Sequence, residues 1–296
     1  MLLLESLESV TRGGMERDTT GILMWSKVFL VKTDSGKEVA VALVDTQGSF
    51  DKNRSVLALL ISHSLEKRRN TFNLIPGKVN CVSQLTDVSV ILPVLLPLLG
   101  VLFLSLRSTV RDCATIFALS LMTSSVLVYN LFNNIQEDDL QHLHYFTEYG
   151  RLALEDSGQI PFQKLQFLVR DWQYPYEEPY GLEGGDNVLK KCLTVDDRMH
   201  PELQALRKGL TSCFSEMSNF LLPHPGRHVA TNPKFKGNIQ QIDEEFIEHI
   251  QGFMPTLLSS KNLVIKNMGG KEVKAKEIVQ YYKSYMEIFK VCNINF

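Results

Sequence analysis

The sequence predicts an α/β fold: a mainly parallel sheet followed by a helical region. Two observations point there. Short apolar runs alternate with amphipathic stretches between Trp25 and Leu222, the pattern of strands joined by crossover helices. From Ile239 only helical periodicity remains, over 239–253, 255–263 and 273–289. That shift predicts a domain boundary near Gly237. Composition agrees with a globular chain. It has 296 residues, 44% hydrophobic and 22% charged, with a formal net charge of −2. A sizeable core is affordable at this length, and the charge balance excludes a nucleic-acid partner. Five scattered cysteines without a C-x-x-C pair read as reduced thiols. The opening MLLLESLESV is too short and too acidic for a secretory signal.

The elements follow in order. WSKVFLVK (Trp25 to Lys32) and VAVALVD (Val39 to Asp45) flank the turn signal TDSGK, so they form a β-hairpin. Val110, Cys113, Ile116, Phe117 and Leu121 share one helical face, and VLVYN (Val126 to Asn130) is a strand. Leu140, Leu143, Phe146, Tyr149 and Leu152 mark a helix over 138–154. LQFLV (Leu165 to Val169) is a third buried strand, closed by Arg170 and Asp171. Two polar helices, 187–193 and 201–214, precede a strand at 219–222 and a PHPG loop.

Residues 52–107 interrupt this order. Within them, Val88 to Leu106 holds 19 residues without a charge, 14 of them Val, Ile, Leu or Phe. A helix of that length spans about 28 Å, close to a bilayer core. By hydropathy it is a transmembrane candidate. The expectation is that the flanking strands pair as if 52–107 were absent, leaving the insert protruding.

Three short motifs carry the chemistry. Asp45-Thr46-Gln47-Gly48 ends an apolar strand. A carboxylate there suits Mg²⁺, which keeps part of its water shell, and the glycine amide suits a phosphate oxygen. The same four residues also serve as an ordinary strand-end turn. Asp171 of Arg170-Asp171 suits the N1 and N2 donors of guanine, or is simply a charged strand end. The hydroxyl of Thr19, in Arg17-Asp18-Thr19-Thr20-Gly21, suits a Mg²⁺ shell, or belongs to a solvated loop. Taken in order, the three follow switch I, switch II and the base-reading motif of a G protein.

Longer stretches carry a specific resemblance. RGGMERDTTGILMW (Arg12 to Trp25), VDTQGSFD (Val44 to Asp51), TVRDCATIFALS (Thr109 to Ser120) and VYNLFNNIQEDDLQHLHYFTEYGRLALE (Val128 to Glu155) are similar to the atlastins. So are PFQKLQFLVRDWQYPYEEPYGLEGG (Pro161 to Gly185) and CFSEMSNFLLPHPGRHVATNPKFKG (Cys213 to Gly237). The atlastins are dynamin-like GTPases of the guanylate-binding branch. The resemblance implies GTP and GDP as ligands, Mg²⁺ as cofactor and a homodimer that fuses membranes on the cytosolic face of the endoplasmic reticulum. It implies Thr19 and Asp45 as Mg²⁺ ligands. Asp45, Gln47 and Gly48 would meet the nucleotide's phosphate end, and Arg12, Thr19, Gln47 and Gly48 form the catalytic set. Arg170, Asp171, Val229 and Asn232 would hold the guanine. The expected domains are an unmatched start at 1–11 and a G domain at 12–237, interrupted at 52–107. A helical middle domain cut short follows at 238–296.

The resemblance has gaps. A phosphate-binding Gly-Lys-Ser run would precede switch I, yet the Gly-Lys pairs here are Gly36-Lys37, Gly77-Lys78 and Gly270-Lys271. The family's C-terminal membrane hairpin is also expected to be lost, so the expected membrane contact is through 88–106 or through that lost hairpin. The expectation is an incomplete or misspliced form with impaired nucleotide binding. The alternatives are a non-catalytic interaction module that keeps the dimer surface, and a membrane-tethered protein with a vestigial G domain.

Overall fold

The computed structural model describes residues 22–24, 28–46, 55–63, 80–82, 110–152, 160–235 and 237–291. Its main sheet begins with β1 (Ile22–Met24), β2 (Val28–Lys32) and β3 (Glu38–Thr46). Strands β2 and β3 are the expected hairpin. The turn between them closes with Thr33 N–H donating to Lys37 O at 2.8 Å, and Gly36 takes φ 76°, a left-handed position that glycine fills without strain. Then come β4 (Ser55–His63), β5 (Asn80–Val82), α1 (Val110–Thr123), β6 (Val126–Phe132), α2 (Glu137–Leu152) and β7 (Phe162–Arg170). Helices α3 (Leu182–Leu193) and α4 (Pro201–Cys213) lead into β8 (Phe214–Leu221). A five-residue α5 (Arg227–Thr231), α6 (Glu244–Leu258), the small hairpin β9–β10 (Asn267–Met268, Lys271–Glu272) and α7 (Ala275–Val291) complete the described residues.

The strand order is β5-β2-β3-β4-β6-β7-β8, with β1 alongside β3. Strands β6, β7 and β8 form parallel ladders, and the remaining pairs are antiparallel. The α/β class stands, and the sheet is more mixed than the sequence suggested. The reason is β4. It is antiparallel to β3 on one edge and to β6 on the other, so β3 and β6 run in the same direction with an inverted strand between them.

Strand β4 also corrects the expectation that the sheet pairs as if 52–107 were absent. Eight residue pairs, from Val39↔His63 to Thr46↔Val56, join β3 to β4, and five, from Ser55↔Asn130 to Leu59↔Val126, join β4 to β6. The stretch SVLALLISH is a short apolar run with Val, Leu and Ile, which suits a strand paired on both edges. Strand β5, also from within 52–107, pairs β2. The segment 88–106 lies outside the described residues. Among the described residues no helix is long and apolar enough to cross a membrane.

Alternation along the strands loads both faces of the sheet. Ala40, Ala42, Val44, Leu127, Tyr129 and Leu131 pack into one cluster with Phe117 and Leu121 of α1, Leu143 and Phe146 of α2, and Tyr282 of α7. Val39, Val41, Leu43, Val126 and Val128 pack on the other side with Phe246, Ile250 and Phe253 of α6. The helices after Gly237 therefore contribute to the sheet's two clusters. One further difference concerns Pro255. The sequence suggested a break there, but α6 runs through it to Leu258. The proline sits in the last turn, where only one intrahelical bond is forfeited.

Candidate functional site

The parallel half of the sheet builds one end of the site. Strand β7 finishes at Arg170, and the chain turns at Asp171, which takes φ 58°. Left-handed backbone is costly for a residue with a Cβ, though Asp and Asn tolerate it best. Three hydrogen bonds hold this end. Arg170 Nε–H donates to Asn130 Oδ1 of β6 at 2.6 Å. Asn133 N–H donates to Arg170 O at 2.8 Å, and Trp172 N–H donates to Leu222 O at 3.0 Å. Asn133 is itself left-handed, at φ 64°. Adjacent strand ends therefore close in the same way, each with an Asx side chain whose Oδ1 is buried and finds no hydrogen-bond partner among the described residues.

Such an oxygen is an acceptor without a donor, and buried acceptors are seldom left so. Burial raises the Asp171 carboxyl above the ordinary carboxylate value, while His224 and then Arg170 pull it down. Burial lowers the Arg170 guanidinium below its usual value, and Asp171 opposes that. The arrangement is thus a partly desolvated carboxyl that burial raises, next in sequence to the Arg170 guanidinium; as a carboxylate it can accept two N–H donors from a ligand.

The loop after β8 borders Asp171. Leu222 N–H donates to Val169 O at 2.8 Å, and His224 Nδ1 accepts from Gly226 N–H at 2.9 Å. Helix α5 follows, with Val229 buried on it. Asn232 caps the helix; its Oδ1 accepts from Lys234 N–H at 3.0 Å. Arg170 and Asp171 thus close β7, and Val229 and Asn232 lie on and just after the short helix that follows the neighbouring loop. Sequence reading missed Asn130, Asn133 and His224. The signal for Asn130 was present: a polar residue inside the apolar run VLVYN, where asparagine is disfavoured.

Asp45 is the next-to-last residue of β3 and is half-buried. Because β3 and β6 share a direction, it lies toward the same end of the sheet as Asp171. Its register runs through Leu57 and Val128 to Gln166. Asp171 is thus five residue rises further along and three strands across, on the order of 20 Å away. An extended ligand is needed to touch both. Arg12, Thr19, Gln47 and Gly48 lie outside the described residues. Among the described residues no group of three His, Cys, Asp or Glu side chains could hold a metal ion. Asp45 alone still fits Mg²⁺, which takes one or two carboxylates and completes its shell with water and phosphate oxygens.

Between these two ends, β4 presents its beginning, Ser55, to the site edge and its last residue, His63, to the opposite one. A phosphate-cradling loop leaves the carboxyl end of a strand and enters a helix, and β4 runs the wrong way to supply one.

A mixed sheet flanked by helices, with a carboxylate at one strand end and an Arg-Asp pair at another, places the chain among α/β domains. The model of the guanylate-binding protein N-terminal domain matches residues 5–62 and 81–267, and the chain belongs to that family. Within it, the chain is similar to the atlastins. It is 48% identical over 279 residues to Atlastin of Drosophila melanogaster, covering 94% of this chain and 42% of that protein. It is 45% identical to Atlastin-2 of Homo sapiens, covering 94% and 39%, and 44% identical to Atlastin-1 of Bos taurus, covering 94% and 40%. The chain thus spans about two fifths of the length of these relatives.

Proposed function

We propose that this chain is an atlastin-like guanine-nucleotide-binding domain that reads guanine with Asp171. The observation that carries the reading is the buried Oδ1 of Asp171, which has no hydrogen-bond partner among the described residues and is set at a strand end next to Arg170. Guanine offers two N–H donors on one edge, and adenine does not. A site built to accept hydrogen bonds rejects a ligand that cannot donate them, because its own polar group is then left unpaired. Val229 and Asn232 complete the base side. Asp45 and Thr19 hold Mg²⁺, and Gln47, Gly48 and Arg12 address the phosphate end. The family's reaction is GTP hydrolysis coupled to homodimerisation and fusion of endoplasmic reticulum membranes, and that role belongs to this proposal.

We further propose that the 296-residue polypeptide binds GTP weakly and turns it over negligibly. No Gly-Lys-Ser or Gly-Lys-Thr run occurs in it, and β4 cannot deliver a phosphate loop to the site. Each charge-assisted hydrogen bond contributes about 1.5–3 kcal/mol. Losing three costs about 4–9 kcal/mol, a factor of roughly 10³ or more in affinity. Calorimetry with GDP, a GTP analogue and ADP, with phosphate release measured alongside, tests both parts. The expected result is millimolar-range binding with guanine preferred, and loss of that preference in Asp171→Ala. Equal affinity for ADP and GDP would overturn the base reading. Micromolar binding or steady turnover would overturn the weak-phosphate reading.

A further inference from the structure

Strand β6 ends in an unusual turn. Asn134 N–H donates to Phe132 O at 2.8 Å, which closes a three-residue turn around Asn133, and Asn133 takes φ 64°. A positive φ at the centre of such a turn marks the rare, strained form of the γ-turn. Strain of this kind persists only where the surroundings hold it, and it gathers at ligand clamps. Here the holding is visible. Asn133 N–H donates to Arg170 O at 2.8 Å, and Ile135 N–H donates to Asn134 Oδ1 at 2.8 Å. The backbone is tied down at the turn and just beyond it.

Asparagine tolerates left-handed backbone better than most residues, and that alone accounts for an asparagine here. It does not account for the side chain. An asparagine in a turn commonly sets its oxygen on a nearby backbone N–H, as Asn134 does. Asn133 Oδ1 instead is buried and finds no hydrogen-bond partner among the described residues. Buried acceptors are seldom left open, because the loss of water is then uncompensated. The residue as a whole is half-buried, so a small rotation of its side chain brings this oxygen to the surface.

Position then says what the oxygen would meet. Phe132 and Arg170 are partners in the parallel β6–β7 ladder, so Asn133 stands one strand spacing from Asp171, on the order of 5 Å. In the strand order β3-β4-β6-β7, it lies between Asp45 of β3 and Asp171 at the end of β7. A nucleotide with its base on Asp171 and its phosphates toward Asp45 lays its sugar across the end of β6. The sugar's hydroxyls are donors, and Asn133 Oδ1 is an open acceptor on that path. We propose that Asn133 binds the ribose, its Oδ1 accepting a hydrogen bond from the 2′- or 3′-hydroxyl, so that the site prefers ribonucleotides to deoxyribonucleotides. The proposal rests on the base reading given above and adds a second ligand contact on the neighbouring strand.

The test uses the full chain and two variants that keep the turn. Asn133→Gly suits it because glycine takes positive φ without strain. Asn133→Asp keeps a side-chain oxygen and tolerates the same backbone. NMR titrations with GDP, 2′-deoxy-GDP, 3′-deoxy-GDP and ADP give the affinities. The wild-type chain binds GDP about fivefold or more tightly than one of the deoxy analogues. Asn133→Gly loses that difference, and Asn133→Asp keeps most of it. The GDP-to-ADP ratio stays the same in all three, because Asp171 is untouched. A purely structural Asn133 would weaken every nucleotide alike and leave any preference for ribose in place. A wild-type chain that binds both deoxy analogues as tightly as GDP overturns the proposal, and so does a folded Asn133→Gly chain that still discriminates against them. Equal binding of GDP and ADP by the wild-type chain sinks the base reading instead. Comparing ADP with 2′-deoxy-ADP and 3′-deoxy-ADP then decides the ribose contact by itself.

Discussion

Lys266 gives the sharpest energetic test of this fold. It lies in the segment between α6 and α7, is only 3% exposed, and its Nζ donates to Ser124 O at 2.8 Å. Gln163 brackets the same segment, donating to Ile265 O and accepting from Asn267 N–H. Burial alone lowers the amine from 10.5 to about 7, with no charged group among the causes. The unfolded chain therefore holds this proton more readily than the folded one between pH 7 and 10.5, and stability rises with pH across that window. At about 1.4 kcal/mol per fully displaced proton and pH unit, the gain from pH 7 to pH 9 is about 2 kcal/mol. Lys266→Met keeps the stem and removes the proton, so this gain disappears. The lost donor to Ser124 O costs a constant amount at every pH. Urea unfolding of both proteins at pH 7, 8 and 9 reads the difference. Tyr282, Tyr285 and Cys192, all pushed up by burial, contribute equally to both and cancel. A stability difference that stays flat over the three pH values would refute the reasoning.

Other perturbations follow from the packing. A Cβ on Gly185 would fall 2.1 Å from Asn219 O, against backbone on β8, so Gly185→Ala should cost about 1–3 kcal/mol in denaturant unfolding. Gly252→Ala, with nothing within 4 Å, should instead stabilise α6 by about 0.5–1 kcal/mol. Finding the two alike would contradict the contact. Arg207 donates to both carboxylate oxygens of Glu137, at 2.8 and 2.7 Å, and to Cys192 O. Arg207→Met should cost about 1–3 kcal/mol, and a neutral result by calorimetry would count against the pair. Ala58 of β4 is paired to Val44 and to Leu127, so Ala58→Pro should remove at least about 3 kcal/mol. Normal folding of that variant, seen by circular dichroism, would mean the sheet does not depend on β4.

What could be read from the sequence was governed by how local each signal is. The hairpin around Gly36, the helix at 110–123 and the strand at 126–132 each advertise themselves through period and turn residues. Strand β4 was harder, because its apolar run stands beside the basic Lys67-Arg68-Arg69 patch and inside a stretch that breaks the motif order. Which strands it joins is a non-local fact that no window of ten residues contains. The same holds for α6 and α7, whose apolar faces are plain in the sequence while the surface they cover is not. In the site, Arg170 and Asp171 were legible as text. Asn130 and Asn133 were not, since their importance lies in a register with β7 that only the parallel ladder reveals.

The division of the sheet into a parallel half and a mixed half leads to a last prediction about how recognition is partitioned. The described residues of the proposed base end, Asn130, Asn133, Arg170, Asp171, His224, Val229 and Asn232, come from 126–232, and the strands β6, β7 and β8 that carry or precede them meet in the β6–β7 and β7–β8 ladders. Asp45 sits on the far side of β4, on the order of 20 Å away. Substitutions more than about 10 Å apart usually perturb a protein additively. Asp45→Asn should therefore reduce the Mg²⁺ dependence of GTP-analogue binding and leave the GDP-to-ADP ratio unchanged. Asp171→Asn should do the reverse, collapsing the ratio while the Mg²⁺ dependence persists. Titrations of both variants with GDP, ADP and a GTP analogue, at high and low Mg²⁺, separate the two effects. If Asp45→Asn altered base preference as strongly as Asp171→Asn, the two ends would be coupled through β4, and the view of a self-contained base-reading half would fail.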